Sequence, residues 1–358
     1  MAFKKIGVLT SGGDAPGMNA CVKAVVNRAA EMGIEVVGIM EGYAGLISGD
    51  IVPMTRQMVN GAMTVGGTRL YSSRFPEFKE HEVRLKAVET CKREGIDALI
   101  CIGGDGTFRG ATEMSKLGIP SIGIPGTIDN DITATDYTIG LDTSTNTTLR
   151  MIDNLKDTCE SHARLNVVEV MGRDCGQIAL YAAIASAAVA VAIPEVPFDE
   201  EAAIKKIAKL RDMGKRGMIV VVSEGVVNPD GTHYAETLAK KIQAETGVET
   251  KFARFSHVVR GGRPTMRDRA TAASMSTKAV ELLAEGKGDV VMCELNGFIR
   301  PVDIQFALIA DRMYKNKLKE GDLDGFTPEQ LEGMKLLVQK RQEEIQSLHK
   351  VAQSVGFW

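Results

Sequence analysis

Short apolar runs alternate along this chain with longer amphipathic or alanine-rich stretches, and this alternation restricts the fold more than any other feature. KKIGVLT, EVVGIM, ALICIG, IPSIGIP, NVVEVMG, VAVAIPE, MIVVVSEG and DVVMCEL each read as a buried strand bounded by glycine, proline or acidic residues. Helical patterns cover 17–32, 81–94, 143–158 and 200–211. The apolar run 178–193 is shorter than the ~18 residues of a spanning helix and reads as a buried helix entering a strand. Strand–helix alternation predicts an α/β protein with mainly parallel sheets and helices on both faces.

In such sheets ligands collect at the carboxyl ends of the strands. Four strand-ending loops stand out: TSGGDAPG (10–17), GGDGT (103–107), GTIDND (126–131) and VMGRDCG (170–176). All four are expected on one edge of a sheet layer. TSGGDAPG and GGDGT each lead into a helical pattern, so their amides and the helix dipole suit an anion. Neither fits GxxxxGK[ST], and Arg109 stands where GxGxxG needs glycine, which disfavours a dinucleotide site. GGDGT alone is compatible with a phosphate cradle or a tight turn. Asp129 and Asp131 are two apart, so an extended segment would point both carboxylates, with Thr127, to one side. Paired acids beside a phosphate loop suit metal-assisted phosphoryl transfer; the same letters also suit an Asp/Asn turn. Arg74, Arg164, Arg173, Arg260 and Lys251 lie beside strand ends as candidate phosphate contacts, and His257 as a candidate ligand contact.

Composition narrows the class. A net charge of −3 argues against generic nucleic-acid or membrane-surface binding. Six scattered cysteines form no CxxC pair and no zinc spacing, which points to reduced thiols in a cytoplasmic, soluble protein. No signal-peptide pattern is visible in MAFKKIGVLTSGG. Near the end, FTPEQL predicts a capping box with Thr327 as N-cap, Pro328 at N1 and Gln330 at N3, stapled by Phe326 and Leu331. Leu331, Met334, Val338, Ile345 and Leu348 then approach heptad spacing, interrupted by Arg341.

Together these motifs resemble the 6-phosphofructokinase family. The matches are IGVLTSGGDAPGMNA (6–20), SRFPEF (73–78), GIDALICIGGDGT (95–107), GIPGTIDNDI (123–132), DYTIG (136–140), VVEVMGR (167–173) and HVVRGG (257–262). GGDGT also occurs in lipid and NAD kinases; GTIDND with VEVMGR is far more specific. The resemblance implies two Rossmann-like α/β/α domains and transfer of phosphate from MgATP to the 1-hydroxyl of fructose 6-phosphate. It implies Asp129 as the base, with Thr127, Asp131 and Arg173 positioning the reacting groups and offsetting charge, and Asp105 on the magnesium side. Gly12, Tyr43, Arg74, Phe78, Lys79, Gly104, Gly106 and Thr107 would line the nucleotide site. Arg164, Met171, Gly172, Glu224, Lys251, His257 and Arg260, with Thr127, Asp129, Asp131 and Arg173, would hold the sugar phosphate. In relatives an adjacent subunit supplies the positions of Arg164 and Lys251, so a homo-oligomer with shared sites, usually a tetramer, is implied.

Pyrophosphate-using relatives typically carry Asp at Gly106 and Lys at Gly126, so two glycines favour ATP. A pyrophosphate-dependent or broader sugar-phosphate kinase is the alternative. Lys251 replaces a family arginine and lacks its bidentate fork; Arg254, expected on the other side of an extended segment, is a poor substitute. The family's effector pocket maps to Lys23, Asn27, Arg56, Lys156, Met213 and Lys215, with Val189 and Gly61 where acids are usual. Weak or absent control by ADP and phosphoenolpyruvate is expected. The resemblance places 1–139 with 258–305 in a larger nucleotide domain and 140–257 with 306–326 in a smaller sugar-phosphate domain. It leaves 327–358 as a helical extension.

Overall fold

A computed structural model describes residues 3–356; the ends of the expected divisions, 1–2 and 357–358, lie outside them. The chain clusters into two units. The first comprises the chain up to Ile128, Ile132–Thr143 and Arg260–Val338; the second comprises Asp129–Asp131, Ser144–Val259 and the chain from Gln339.

The first unit holds strands β1 (Lys5–Ser11), β2 (Glu35–Ile39), β3 (Ile51–Pro53), β4 (Ala98–Gly103), β5 (Ser121–Pro125), β10 (Val290–Leu295) and β11 (Phe298–Asp303). They form one sheet in the order β11-β10-β5-β4-β1-β2-β3, parallel except for the outer pairings of β10 with β11 and of β2 with β3. Its helices are α1 (Met18–Glu31), α2 (Tyr43–Ser48), α3 (His81–Glu94), α4 (Asp105–Lys116), α9 (Met266–Ala284) and α10 (Ile304–Tyr314). ALICIG becomes β4, buried at every position, as a central parallel strand must be. Phe108 on α4 lies in this core among Leu99, Met114 and Val291; burial of such a side chain contributes about 1.5–3 kcal/mol.

The second unit holds β6 (Leu165–Val170), β7 (Ala190–Ala192), β8 (Met218–Ser223) and β9 (Thr250–Arg254), ordered β7-β8-β6-β9 and parallel throughout. Its helices are α6 (Gln177–Ser186), α7 (Glu200–Asp212) and α8 (Tyr234–Thr246). α5 (Leu141–His162) and α11 (Pro328–Val355) each contribute residues to both units. The α/β class and the run from a buried helix into a strand at 178–193 are as expected, with α6 followed by β7. Three strands escaped the apolar-run criterion: β3 is three residues long, while β9 and β11 carry exposed charges.

Residues 306–326 cluster with the first unit, not with the smaller division where the resemblance put them. α10 follows β11 directly and sends Ile304, Ala307 and Leu308 into the first unit's core. Thr327 caps α11 as the sequence predicts: Gln330 N–H donates to its hydroxyl at 3.3 Å, and Thr327 N–H donates to Gln330 Oε1 at 2.9 Å. Phe326 and Leu331 both cover the small cluster of Ile309, Ala310 and Met334. All six cysteines are buried and unlinked, and burial pushes the thiols of Cys21, Cys91 and Cys101 up to about 12. No helix among the described residues is long and apolar enough to cross a membrane.

Candidate active site

In the first unit the loops after β1, β4 and β5 share one sheet edge, because these strands are parallel and adjacent. Gly126 N–H donates to Gly103 O at 3.0 Å, and Thr107 Oγ1 donates to Ser11 O at 3.0 Å, which ties the three loop starts together. Gly12 adopts φ 87°, a region that favours glycine. Ser72 donates to its carbonyl at 2.6 Å. Arg260, nearly buried, donates from Nη1 to Asp14 O at 3.2 Å and so lies on the first loop.

α4 begins at Asp105 straight after β4, with Gly104 as its N-cap. A Cβ placed on Gly106 would meet nothing within 4 Å, so the first turn of α4 faces open space. Such a helix start presents unpaired amides to an anion. Tyr43, buried at the start of α2, donates its hydroxyl to Thr107 O at 2.7 Å and stacks on Phe78 with ring centroids 4.2 Å apart. Burial holds the Tyr43 phenol well above its ordinary range. Arg74 and Lys79 are exposed on either side of Phe78. Lys79 lines a cavity of about 430 Å³ with Arg84, Arg109, Lys116 and Arg312. Thr127 is buried, and its carbonyl accepts from Thr138 Oγ1 at 2.7 Å.

Sequence reading missed two partners here. Arg109, one helical turn after Asp105, forms an ion pair with it. Gly110 lets Tyr43 approach: a Cβ at that position would lie 2.5–2.8 Å from the ring and hydroxyl. The i,i+4 spacing of Asp105 and Arg109 could have revealed the first.

In the second unit the loop after β6 carries Met171, Gly172 and Arg173. Glu224, which follows β8, accepts from Gly172 N–H at 3.3 Å and Arg173 N–H at 3.1 Å. Arg173 has a left-handed backbone, φ 50°, and its Nε lies 3.3 Å from Asp129 Oδ2. Asp129 is 1% exposed and Arg173 51%. His257 is exposed, its Nδ1 3.1 Å from Ser256 Oγ. Arg164 and Lys251 converge on one acid the sequence did not single out: Glu249 lies 2.8 Å from Arg164 and 3.0 Å from Lys251. Hydrogen bonds from these two cations pull the Glu249 carboxyl down to about 2. Arg254 points elsewhere, pairing with the buried Glu169 at 2.7 Å.

Two expectations require correction. VMGRDCG is not on the edge that the other three loops share, because β6 pairs with β8 and β9 in a separate sheet. Nor is 127–131 extended: Ile128 and Asp129 form a turn and Asn130 is left-handed at φ 50°. Strand alternation therefore does not govern how Asp129 and Asp131 point.

Of the positions mapped to an effector pocket, Lys156, Val189 and Lys215 line, in the second unit, a cavity of about 290 Å³ together with Glu160, Ser186 and Arg216. Lys156 donates to Ser186 O at 3.0 Å. Burial and the charge of Lys156 lower the Lys215 ammonium; burial and the charge of Lys215 lower that of Lys206. Met213 is exposed. In the first unit Lys23 donates to Val59 O at 3.3 Å, Arg56 to Asn27 O at 3.2 Å, and Gly61 borders open space.

The family model described as Phosphofructokinase matches residues 5–283. The chain is 49% identical over 318 residues to ATP-dependent 6-phosphofructokinase 1 of Clostridium perfringens, covering 89% of this chain and 98% of that protein. It is 48% identical over 302 residues to the ATP-dependent 6-phosphofructokinase of Lactobacillus johnsonii, covering 84% and 93%. The phosphofructokinase structure from Saccharomyces cerevisiae superposes with TM-score 0.83 at 32% identity over 90% of this chain, which spans about half (47%) of the yeast chain. A pyrophosphate-dependent phosphofructokinase from Marinobacter aquaeolei shares the fold, with TM-score 0.74 at 21% identity over 94% of this chain and 92% of that one. With more than half its length inside the family model and near-full-length relatives at almost half identity, this chain belongs to the phosphofructokinase family.

Proposed function

We propose that this protein transfers a phosphoryl group from ATP to the 1-hydroxyl of fructose 6-phosphate, giving fructose 1,6-bisphosphate and ADP. The observation that carries the reading is a buried carboxylate, Asp129, held beside a cation, Arg173, on the loop after β6. Such chemistry asks the protein for positioning and charge compensation, with one base for the acceptor proton. Asp129 takes that proton; Arg173 stays close and offsets developing negative charge. Thr127 and Asp131 position the reacting groups. Glu224 fixes the backbone of Gly172 and Arg173 and, with Met171, His257, Arg164, Lys251 and Arg260, holds the sugar phosphate.

The nucleotide lies on the first unit's loops, against the Tyr43–Phe78 stack and the open first turn of α4, with Arg74 and Lys79 beside it. Magnesium fits this arrangement: Asp105 offers one carboxylate next to the space left by Gly106, and Mg²⁺ is commonly held by one or two carboxylates plus the donor's phosphates. When bound it neutralises phosphate charge; Arg109 keeps Asp105 ordered without it. The names of the curated relatives, together with glycine at 106 and 126, support ATP over pyrophosphate.

The active form is a cytoplasmic homo-oligomer, a tetramer, in which Arg164 and Lys251 serve a neighbouring subunit's site. Control by ADP and phosphoenolpyruvate is weak or absent, since Val189 offers no carboxylate to a metal-bound effector. A steady-state assay of fructose 6-phosphate with MgATP or pyrophosphate, each with and without the two effectors, tests the reading. Turnover with MgATP and little with pyrophosphate is expected. The reverse preference overturns the donor assignment, and a large sigmoidal shift with either effector overturns the regulatory one.

A further inference from the structure

The loop bearing Asp129 and Asp131 is tied to α11 by a chain of hydrogen bonds within the second unit. Asn130, between the two acids, is buried with a left-handed backbone, and its Nδ2 donates to Gln177 Oε1. Gln177 is fully buried at the first position of α6, and its Nε2 donates to Glu344 Oε1 at 2.8 Å. Glu344, on α11, accepts with its other oxygen from Arg341 Nη1 at 3.2 Å. Arg341 is itself 5% exposed. It is the residue that breaks the heptad-like seam, and burying it in an otherwise amphipathic helix requires a partner.

The chain has a direction. A carboxylate only accepts, so Glu344 forces Gln177 to present N–H₂ to it and therefore its carbonyl to Asn130. Gln177 can then accept only from Asn130 Nδ2, which fixes that amide too. One acceptor-only group thus sets the orientation of two amides whose own chemistry leaves it open. Glu195 supports the same helix start, accepting from Gly176 N–H at 2.8 Å. The family match ends at residue 283, so α11 lies beyond it.

We infer that Glu344, held by Arg341, is a positioning residue for phosphoryl transfer, setting the conformation of the Asp129–Asn130–Asp131 turn through Gln177. The inference rests on the reading of that turn as catalytic.

The polarity can be inverted and restored with isosteric changes. In Glu344→Gln an amide that accepts from Arg341 can satisfy Gln177 only by donating to it, which turns over the amide of Gln177 and with it that of Asn130. In Gln177→Glu two carboxylates face each other. In the double variant Gln177→Glu/Glu344→Gln, an amide at 344 accepts from Arg341 and donates to a carboxylate at 177, which still accepts from Asn130. Misplacement of reacting groups by fractions of an ångström predicts about a tenfold fall in kcat for each single variant. The KM for ATP and the unfolding midpoint should stay close to the parent's, and the double variant should recover most of the kcat. Single variants with parental kcat overturn the inference. So does a loss that the double variant fails to restore, or one accompanied by a collapsed midpoint, since either makes the contact purely structural. Asp129→Asn in the same assay separates the two levels. If it keeps turnover, the reading of the turn fails; if it is inactive while Glu344→Gln is unaffected, only the role of Glu344 fails.

Discussion

Arg173 Nε lies 3.3 Å from the carboxylate of Asp129, pairing a half-exposed guanidinium with an acid that is 1% exposed. The cation's left-handed backbone and the two N–H bonds to Glu224 hold that pairing from the other side of the loop. A general base must be ordered and within reach of its proton, and loss of one typically costs 10²-fold or more. Asp129→Ser should therefore lower kcat by at least ~10²-fold. Near-parental turnover in that variant would remove Asp129 from the mechanism.

Gly106 tests the donor. Its missing side chain opens onto free space at the first turn of α4, so Gly106→Asp should fold normally. It would place a carboxylate where nucleotide phosphates are expected. Like charges a few ångströms apart at a protein surface repel by about 1–4 kcal/mol. The kcat/KM for MgATP should fall at least about tenfold, with an unchanged unfolding midpoint. A variant that uses ATP as well as the parent would show that position 106 does not face the phosphates.

How the sequence encodes these features differs from loop to loop. The apolar runs announced the buried parallel strands because a strand covered on both faces has no polar side to hide its signal. β9 and β11 were invisible for the opposite reason: Lys251, Arg254, Arg300 and Asp303 give them solvent-facing charge. Tyr43, Phe78 and Thr107 lie far apart in sequence and meet only through the resemblance and the fold. At 128–130 the chain takes the Asp/Asn turn that its letters also allowed, with Asn130 in the left-handed region, so strand alternation does not apply there. Arg341 read as a defect in a seam, because its partner Glu344, three residues on in the same helix, gains its meaning only through Gln177, which comes from a distant stretch of the chain.

Gly110 makes room for Tyr43. A Cβ there would lie within 2.8 Å of the ring, and the ring is also held by Phe78 and by its bond to Thr107 O. Gly110→Ala must displace either the ring or α4. Overpacking of this kind costs about 1–3 kcal/mol. The KM for ATP should rise severalfold while that for fructose 6-phosphate changes little. Equal changes in both constants would argue that Tyr43 does not border the nucleotide.

Glu249 carries a pH dependence of definite sign. Arg164 and Lys251 hold its carboxyl near 2, below the ordinary 4.5. A carboxyl depressed in the folded state stabilises the fold fully above its unfolded value, and the effect fades as pH falls toward the folded value. Compared with Glu249→Gln, the parent should unfold at a higher temperature by a constant margin above about pH 5. That margin should shrink from about pH 4.5 downward and vanish near pH 2. Thermal unfolding of both proteins across this range measures it. Because the group is exposed, the margin should also narrow as salt is raised. A margin independent of both pH and salt would mean that Glu249 does not clamp the two cations, leaving Arg164 and Lys251 free of it in solution.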